Sequence, residues 1–329
     1  MPSAPSVSIS KVSKANSTRS LIQDDGVLGH RYSVSDDQIQ SHEPTLFYGH
    51  PHGELWMGDS IRWLRTLESD SVDLLFADPP YNIKKAEWDT FESQQHYIDW
   101  SMQWIEQAAR VLKPAGTLYV CGFSEILADL KHPATQFFKG CKWLIWHYKN
   151  KANLGNDWGR SHESILHLRK SNKFTFNIDL IRIPYGNHTL KYPVHPQAVT
   201  SQYSNNGKSK HDSWQPHPDG AKPRDVFEIP TISNSAEEKT PHITQKPEEL
   251  LRRIVLASSN EGDLVVDPFL GSGTTAVVSE QLGRKWLGND ISPEYLNWTI
   301  KRVENVKRMT PKQWVAYDYE MAKRRNKIR

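Results

Sequence analysis

The sequence predicts an α/β fold built on an open sheet with ligands at the carboxyl ends of its strands. Two stretches carry that prediction. Val72-Asp73-Leu74-Leu75-Phe76-Ala77 is a short apolar run of the kind that forms a buried strand, and Asp78-Pro79-Pro80-Tyr81 follows it. Two successive prolines lack N–H donors and fix φ, so the chain must leave the sheet there. Far along the chain, Asp263–Val266 is a second buried strand, and Asp267-Pro268-Phe269-Leu270-Gly271-Ser272-Gly273-Thr274-Thr275-Ala276 turns from it into a helix. Open α/β sheets bind ligands at such strand ends.

The chain has 329 residues, enough for one large or two medium domains with a sizeable core. A formal net charge of only +3 means that any attraction to nucleic acid comes from local patches. Two cysteines, Cys121 and Cys141, favour a reducing compartment. No apolar stretch approaches the ~18 residues of a membrane span, and the N-terminus has no apolar signal region. No Cys/His spacing points to a metal, and the insert histidines His188, His195, His211 and His217 form no ligand pattern.

In order, residues 1–45 are rich in Ser, Asp and Gln and read as a flexible leader. Glu54–Asp59 is a short strand ending in a Gly-Asp turn. Asp59 then precedes an amphipathic helix, Ser60–Leu67, as an N-cap or turn residue. After the 78–81 elbow, Tyr97–Leu112 has the helical period, with Trp100, Trp104, Ala108, Val111 and Leu112 on one face. Lys113-Pro114-Ala115-Gly116 stops it. Thr117–Phe123 and Cys141–Tyr148 read as strands, with Ser164–Leu168 as the hairpin partner of the latter. The segment between them carries Lys149, Lys151 and Arg160. Residues 171–243 lose apolar period and form a loop-rich insert, read as a recognition module. A helix follows Pro241-His242-Ile243-Thr244-Gln245-Lys246-Pro247. Lys285–Asp290 is a strand ending in an acid, and a last helix covers 293–308. Residues 311–329 form a basic tail, with Lys323, Arg324, Arg325, Lys327 and Arg329 and no acid among the last nine residues. It reads as a solvated end that attracts phosphate.

Taken alone, the glycine turn allows two chemistries. Gly271-x-Gly273-x-x-Ala276 fits a dinucleotide fingerprint with Asp290 as the ribose acid, which admits an NAD-dependent oxidoreductase. No Lys-Ser or Lys-Thr pair follows the glycines, so it is not a phosphate loop. A cofactor-free nucleic-acid-binding protein is a third class. Methylation of cytosine C5 is disfavoured, because neither cysteine has the Pro neighbour of such nucleophiles.

Asp267-Pro268-Phe269-x-Gly271-Ser272-Gly273 together with Asp78-Pro79-Pro80-Tyr81 resembles the DNA amino-methyltransferases, which modify N6 of adenine or N4 of cytosine. The order is elbow, insert, Thr244-Gln245-Lys246-Pro247 and then glycine turn, which is that of their permuted β class. Trp88-Asp89 and His162-Glu163 match too, and the likeness spans about 46–308. It implies a Rossmann-like S-adenosylmethionine-dependent fold with a mostly parallel seven-stranded sheet. Residues 46–170 would form the catalytic half, 171–243 the target-recognition insert and 244–310 the cofactor half. It assigns catalysis to Asp78, Pro79, Pro80 and Tyr81. Asp267, Phe269, Gly271, Ser272 and Gly273 would line S-adenosylmethionine, Asp290 would take the ribose hydroxyls, and Asp59 would lie near the adenine. Thr244 and Lys246 would meet the methionine carboxylate. Double-stranded DNA is the implied partner, in the cytoplasm and associated with the nucleoid. An Asp at the head of the tetrad favours adenine over cytosine. Dimerisation and a cognate restriction enzyme stay open.

Overall fold

The computed structural model describes residues 19–20, 30–32, 43–84, 89–148, 156, 158–193, 195–196 and 213–327. Trp88, Lys149, Lys151, His211, Arg329 and most of 1–45 lie outside them. The chain divides into two compact units, one formed by 1–176 with 225–329 and the other by 177–224.

The larger unit is built on an eleven-stranded sheet. Its strands are β1 (Arg19–Ser20), β2 (His30–Tyr32), β3 (Thr45–His50), β4 (Gly53–Met57), β5 (Val72–Ala77), β6 (Leu112–Gly122), β7 (Gly140–His147), β8 (His162–Arg169), β11 (Val226–Glu228), β12 (Leu264–Asp267) and β13 (Lys285–Asp290). The spatial order is β1-β2-β3-β4-β13-β12-β5-β6-β8-β7-β11. The five strands from β4 to β6 run parallel; β8 is antiparallel to both β6 and β7. The stretch from β4 to β7 supplies the seven expected strands, and β1, β2, β3 and β11 extend its edges. The count of seven is therefore corrected to eleven. Three of the added strands are two or three residues long, too short to show a period, and the pairing partner rather than the local sequence makes them strands.

The helices of this unit are α1 (Ser60–Thr66), α2 (Gln94–Val111), α3 (Ser124–Ala134), α5 (Glu248–Ser258), α6 (Thr274–Gln281), α7 (Pro293–Val303) and α8 (Pro311–Lys327). Side-chain caps start four of them: Asp59 accepts from the Arg62 N–H, Ser93 from His96, Ser292 from Tyr295 and Thr310 from Gln313. β4 shows why both faces of the sheet are covered. Trp56 joins the apolar cluster of α1, α2 and α3, while Leu55 and Met57 join that of α6 and α7. Trp63, Trp104 and Trp286 are fully buried, so part of the high tryptophan count is core.

Four expectations change. α3 was not foreseen, although Ile126, Leu127, Leu130 and Ala134 give it a buried stripe. The final helix ends at Val303, and the tail expected to be solvated forms α8, with Trp314 buried and Asp318 bonded twice to the buried Arg252 guanidinium, at 2.6 and 3.0 Å. The insert is narrower than 171–243. Phe174 packs edge-on against the His167 ring, and β11 pairs in parallel with β7, which ties both flanks to the larger unit. Within the segment expected to be a flexible leader, β2 pairs with both β1 and β3.

The smaller unit holds a 3₁₀ turn (Ile178–Ile181), α4 (Asn187–Lys191) and the hairpin of β9 (His195–Pro196) with β10 (Ser213–Trp214). A bridge between Ile183 and Ala221 closes it, supported by Arg182 donating to the Gly220 carbonyl at 3.0 Å.

Candidate active site

β4, β13, β12 and β5 are parallel neighbours, so their carboxyl ends fall side by side. Asp59, Asp290, Asp267 and Asp78 come at or just after those ends, and all four line one cleft of about 520 Å³. Such a volume suits a cofactor-sized ligand.

On the glycine-turn side of this cleft each acid is fixed by backbone. Asp290 Oδ2 accepts the Gly271 N–H at 2.8 Å and Oδ1 the Ser292 N–H at 2.9 Å. Its remaining lone pairs can accept the hydroxyls of a ribose. Burial pushes its carboxyl up to about 6, against those bonds. Asp267 accepts the Thr275 hydroxyl at 2.6 Å and the Phe269 N–H at 2.9 Å, and burial pushes it up to about 7. Asp267 thus ties the turn to α6. Phe269 packs edge-on against Trp104 and beside Trp100. Gly271 has φ +54°, and a Cβ there would lie 3.1 Å from the His242 Nε2, so the missing side chain keeps the cleft wall low. Gly273 is not part of the lining. It starts α6 at φ +81°, where a Cβ would meet Thr299 at 2.4 Å. Asp59 lines the cleft while capping α1. These groups fit a ligand with a ribose, a flat apolar ring and a polar tail.

On the other side of the elbow lies a second cavity of about 350 Å³. Tyr81, Phe123, Trp146 and Tyr148 give it aromatic walls, and Glu163 and Lys246 give it charge. Asp78, Thr244, Gln245 and Lys246 line both cavities. The common wall is a compact polar cluster. Lys246 Nζ donates to Asp78 Oδ2 at 2.6 Å and stands 3.4 Å from Glu163 Oε2. The Tyr81 hydroxyl donates to Asp78 Oδ1 at 2.7 Å and lies 3.1 Å from Glu163 Oε2. Burial alone would lower the Lys246 ammonium, but the Asp78 and Glu163 carboxylates outweigh it and hold the group charged. Burial and the same carboxylates push the Tyr81 phenol up, so it remains a donor. The elbow is held from below by Asp89, which accepts the Tyr81 N–H at 2.6 Å and the Ile83 N–H at 3.3 Å.

Asp59, Asp78, Pro80, Thr244, Lys246, Asp267, Phe269, Gly271, Ser272 and Asp290 meet in the cleft; Gly273 stands behind it, His242, Trp100 and Tyr295 join it without having been assigned there, and two side chains point otherwise than expected. Lys246 reaches Asp78 rather than standing free for a carboxylate, because the segment ahead of α5 runs past the elbow. Tyr81 is anchored through its hydroxyl and packs edge-on to Phe123 at 5.1 Å. The aromatic walls at Phe123, Trp146 and Tyr148 went unread. Their only signal was aromatic residues at strand ends beside the elbow.

The chain also has known relatives. A family model described as DNA methylase, of the N6/N4 type, matches residues 72–302. The type II methyltransferase M.HpaI of Haemophilus parainfluenzae is 35% identical over 254 residues, covering 75% of this chain and 73% of its own. The DNA adenine methyltransferase YhdJ of Escherichia coli (strain K12) is 34% identical over 266 residues, covering 80% and 86%. Among solved structures, the PvuII DNA methyltransferase (cytosine-N4-specific) superposes with a TM-score of 0.58 at 18% identity, covering 82% of this chain and 92% of that one, which supports the fold. No helix among the described residues is long and apolar enough to cross a membrane. With the elbow and the glycine turn meeting in one cleft and the family model covering most of the sequence, the chain belongs to the N6/N4 DNA methylase family.

Proposed function

We propose that this protein transfers a methyl group from S-adenosylmethionine to the exocyclic amino group of a base flipped out of duplex DNA, with adenine N6 as the preferred target. The observation that carries the reading is Asp78 in the wall shared by two cavities, one suited to the cofactor and one to a flat ring. S-adenosylmethionine, when bound, supplies an electrophilic methyl on a sulfonium.

The chain's own residues have to make a poor nucleophile attack. An exocyclic amino nitrogen has its lone pair delocalised into the ring. Asp78 and the Pro80 carbonyl can accept its two hydrogens, which pushes the nitrogen towards a tetrahedral shape and localises its lone pair. Tyr81 and Lys246 each occupy one oxygen of Asp78, so the carboxylate is oriented before the substrate arrives. Fixed acceptors of this kind cost no reorganisation during the reaction. The flipped base pays a few kcal/mol to leave the stack. The aromatic walls can return about 1–3 kcal/mol by stacking.

Adenine is favoured by the Asp at the head of the tetrad and by the likeness to the adenine enzyme YhdJ. Action on cytoplasmic, nucleoid DNA follows from the substrate. The test is incubation of unmethylated genomic DNA with labelled S-adenosylmethionine, followed by nucleoside mass analysis. N6-methyladenine is expected. N4-methylcytosine would reverse the base assignment, and unlabelled DNA would refute the activity.

A further inference from the structure

Asp78, Tyr81, Glu163 and Lys246 come from three separate chain segments and close a ring. Asp78 meets Tyr81 at 2.7 Å and Lys246 at 2.6 Å; Glu163 meets the same two partners at 3.1 and 3.4 Å. The ring contains two carboxylates and one ammonium. A single carboxylate would balance Lys246, whose side chain is only 7% exposed, and burying a second one is costly. Glu163 shares its cavity with Lys239, and Arg160, which acts on the neighbouring Tyr148, is itself paired with Glu125. From the elbow Glu163 faces Asp78 and Tyr81, from β6 Cys121, from the end of β7 Tyr148, and from ahead of α5 Lys246. Burial pushes the Tyr81 and Tyr148 phenols and the Cys121 thiol up, so all three stay neutral. The ring itself thus holds one carboxylate more than it holds ammonium groups, at a place where the reaction releases one proton.

That proton is unavoidable. Methyl transfer forms the N–C bond as the S–C bond breaks, and the electron pair remains on sulfur. The amino nitrogen is left positively charged with one hydrogen too many. We propose that Glu163 is the proton reservoir for this step, acting through Tyr81. Asp78 takes the proton from the methylated nitrogen and becomes the donor to the Tyr81 oxygen; the Tyr81 hydrogen, which pointed at Asp78, turns to Glu163 Oε2 at 3.1 Å and moves there as the Asp78 proton takes its place. Asp78 returns to the carboxylate and Tyr81 to the neutral phenol. Glu163, which lines the second cavity, gives the proton to water after the base leaves. Glu163 is thus a positioning residue that acts on the substrate only through its neighbours. Lys246 faces both carboxylates, at 2.6 and 3.4 Å.

This inference rests on the methyltransferase reading, so the experiment begins with the wild-type protein. Single-turnover methylation of unmethylated genomic DNA, with enzyme in excess, is measured from pH 5.5 to 9 for wild type, Glu163→Gln and Glu163→Asp. Affinity for S-adenosylhomocysteine is measured by calorimetry. The wild-type rate should rise with pH and level off. Glu163→Gln should lose about 10²-fold at neutral pH, the size of a general acid–base contribution. Its rate should keep rising with pH as solvent takes over the proton, and its S-adenosylhomocysteine affinity should be unchanged. Glu163→Asp should regain part of the rate and the plateau. A Glu163→Gln enzyme with the wild-type rate and profile overturns the proposal. So does an equal loss at every pH together with weakened S-adenosylhomocysteine binding, which marks a structural role. A wild-type protein that binds S-adenosylhomocysteine but labels no DNA overturns the methyltransferase reading itself.

Discussion

Asp78 has both carboxylate oxygens bonded before any substrate is present, to a phenol at 2.7 Å and an ammonium at 2.6 Å. Its job at the residue scale is therefore to be an oriented acceptor. Asp78→Ala should lower the methylation rate by about 10³-fold, the scale of losing a preorganised polar group. Lys246 keeps Glu163 as a partner in that variant, so the protein should still fold and bind S-adenosylhomocysteine, as circular dichroism and calorimetry would show. A second residue-scale prediction concerns His167. It stacks on Tyr119 at 4.4 Å, and its buried Nε2 has no hydrogen-bond partner among the described residues. Burial first, then the Arg169 and Lys142 charges, push its pKa down to about 3. The folded-state value lies below the unfolded one of about 6.5. Its contribution is thus complete above pH 6.5 and is lost as pH falls towards 3, by at most about 1.4 kcal/mol per pH unit. His167→Phe keeps the stacked ring and removes the titration. Urea unfolding between pH 7 and 4.5 should show a flatter loss of stability in the variant than in wild type.

At the scale of elements, legibility follows how local the causes are. The elbow was readable because two adjacent prolines force the exit from β5. The glycine turn was readable because Gly271 and Gly273 need positive φ beside a buried strand. Asp59 was read as a helix cap and is one. The contact between Lys246 and Asp78 spans 168 residues, and no local pattern encodes it. α8 was hidden for a related reason. Its composition is that of a charged tail, and its order comes from Trp314 and Asp318, one turn apart, meeting Arg252 of α5. The guanidinium lies 4.4 Å from the Trp314 ring centroid and donates twice to Asp318. Breaking a buried pair costs about 3–5 kcal/mol when the other charge is left alone. Arg252 retains Glu248 at 3.1 Å, so Asp318→Ala should cost about 3 kcal/mol, at the lower end of that range. Equilibrium urea unfolding measures it. Limited proteolysis should then release 311–327 first.

The whole molecule divides into two compact units of unlike build. The larger unit carries the entire sheet, both apolar clusters and both cavities. The smaller unit, 177–224, has its own hairpin and bridge and exposes Leu190 and Tyr192. Its sequence gave little to read, since short bridges rather than periodic stripes hold it together. We infer that it helps choose the DNA sequence, in keeping with phosphate contacts that position and base contacts that specify. Replacing 177–224 with a flexible Gly/Ser linker should leave the larger unit folded, because none of its strands or clusters lies in that segment. Binding of S-adenosylhomocysteine should persist within about threefold, a shift of well under 1.4 kcal/mol. Methylation of genomic DNA should fall below detection or spread over many sequences, and nucleotide-resolution methylation mapping tells these apart. Either pattern fits a recognition role. A replaced protein that methylates the wild-type sites at the wild-type rate would place recognition in the larger unit. The aromatic-walled cavity and its surroundings would then have to supply it.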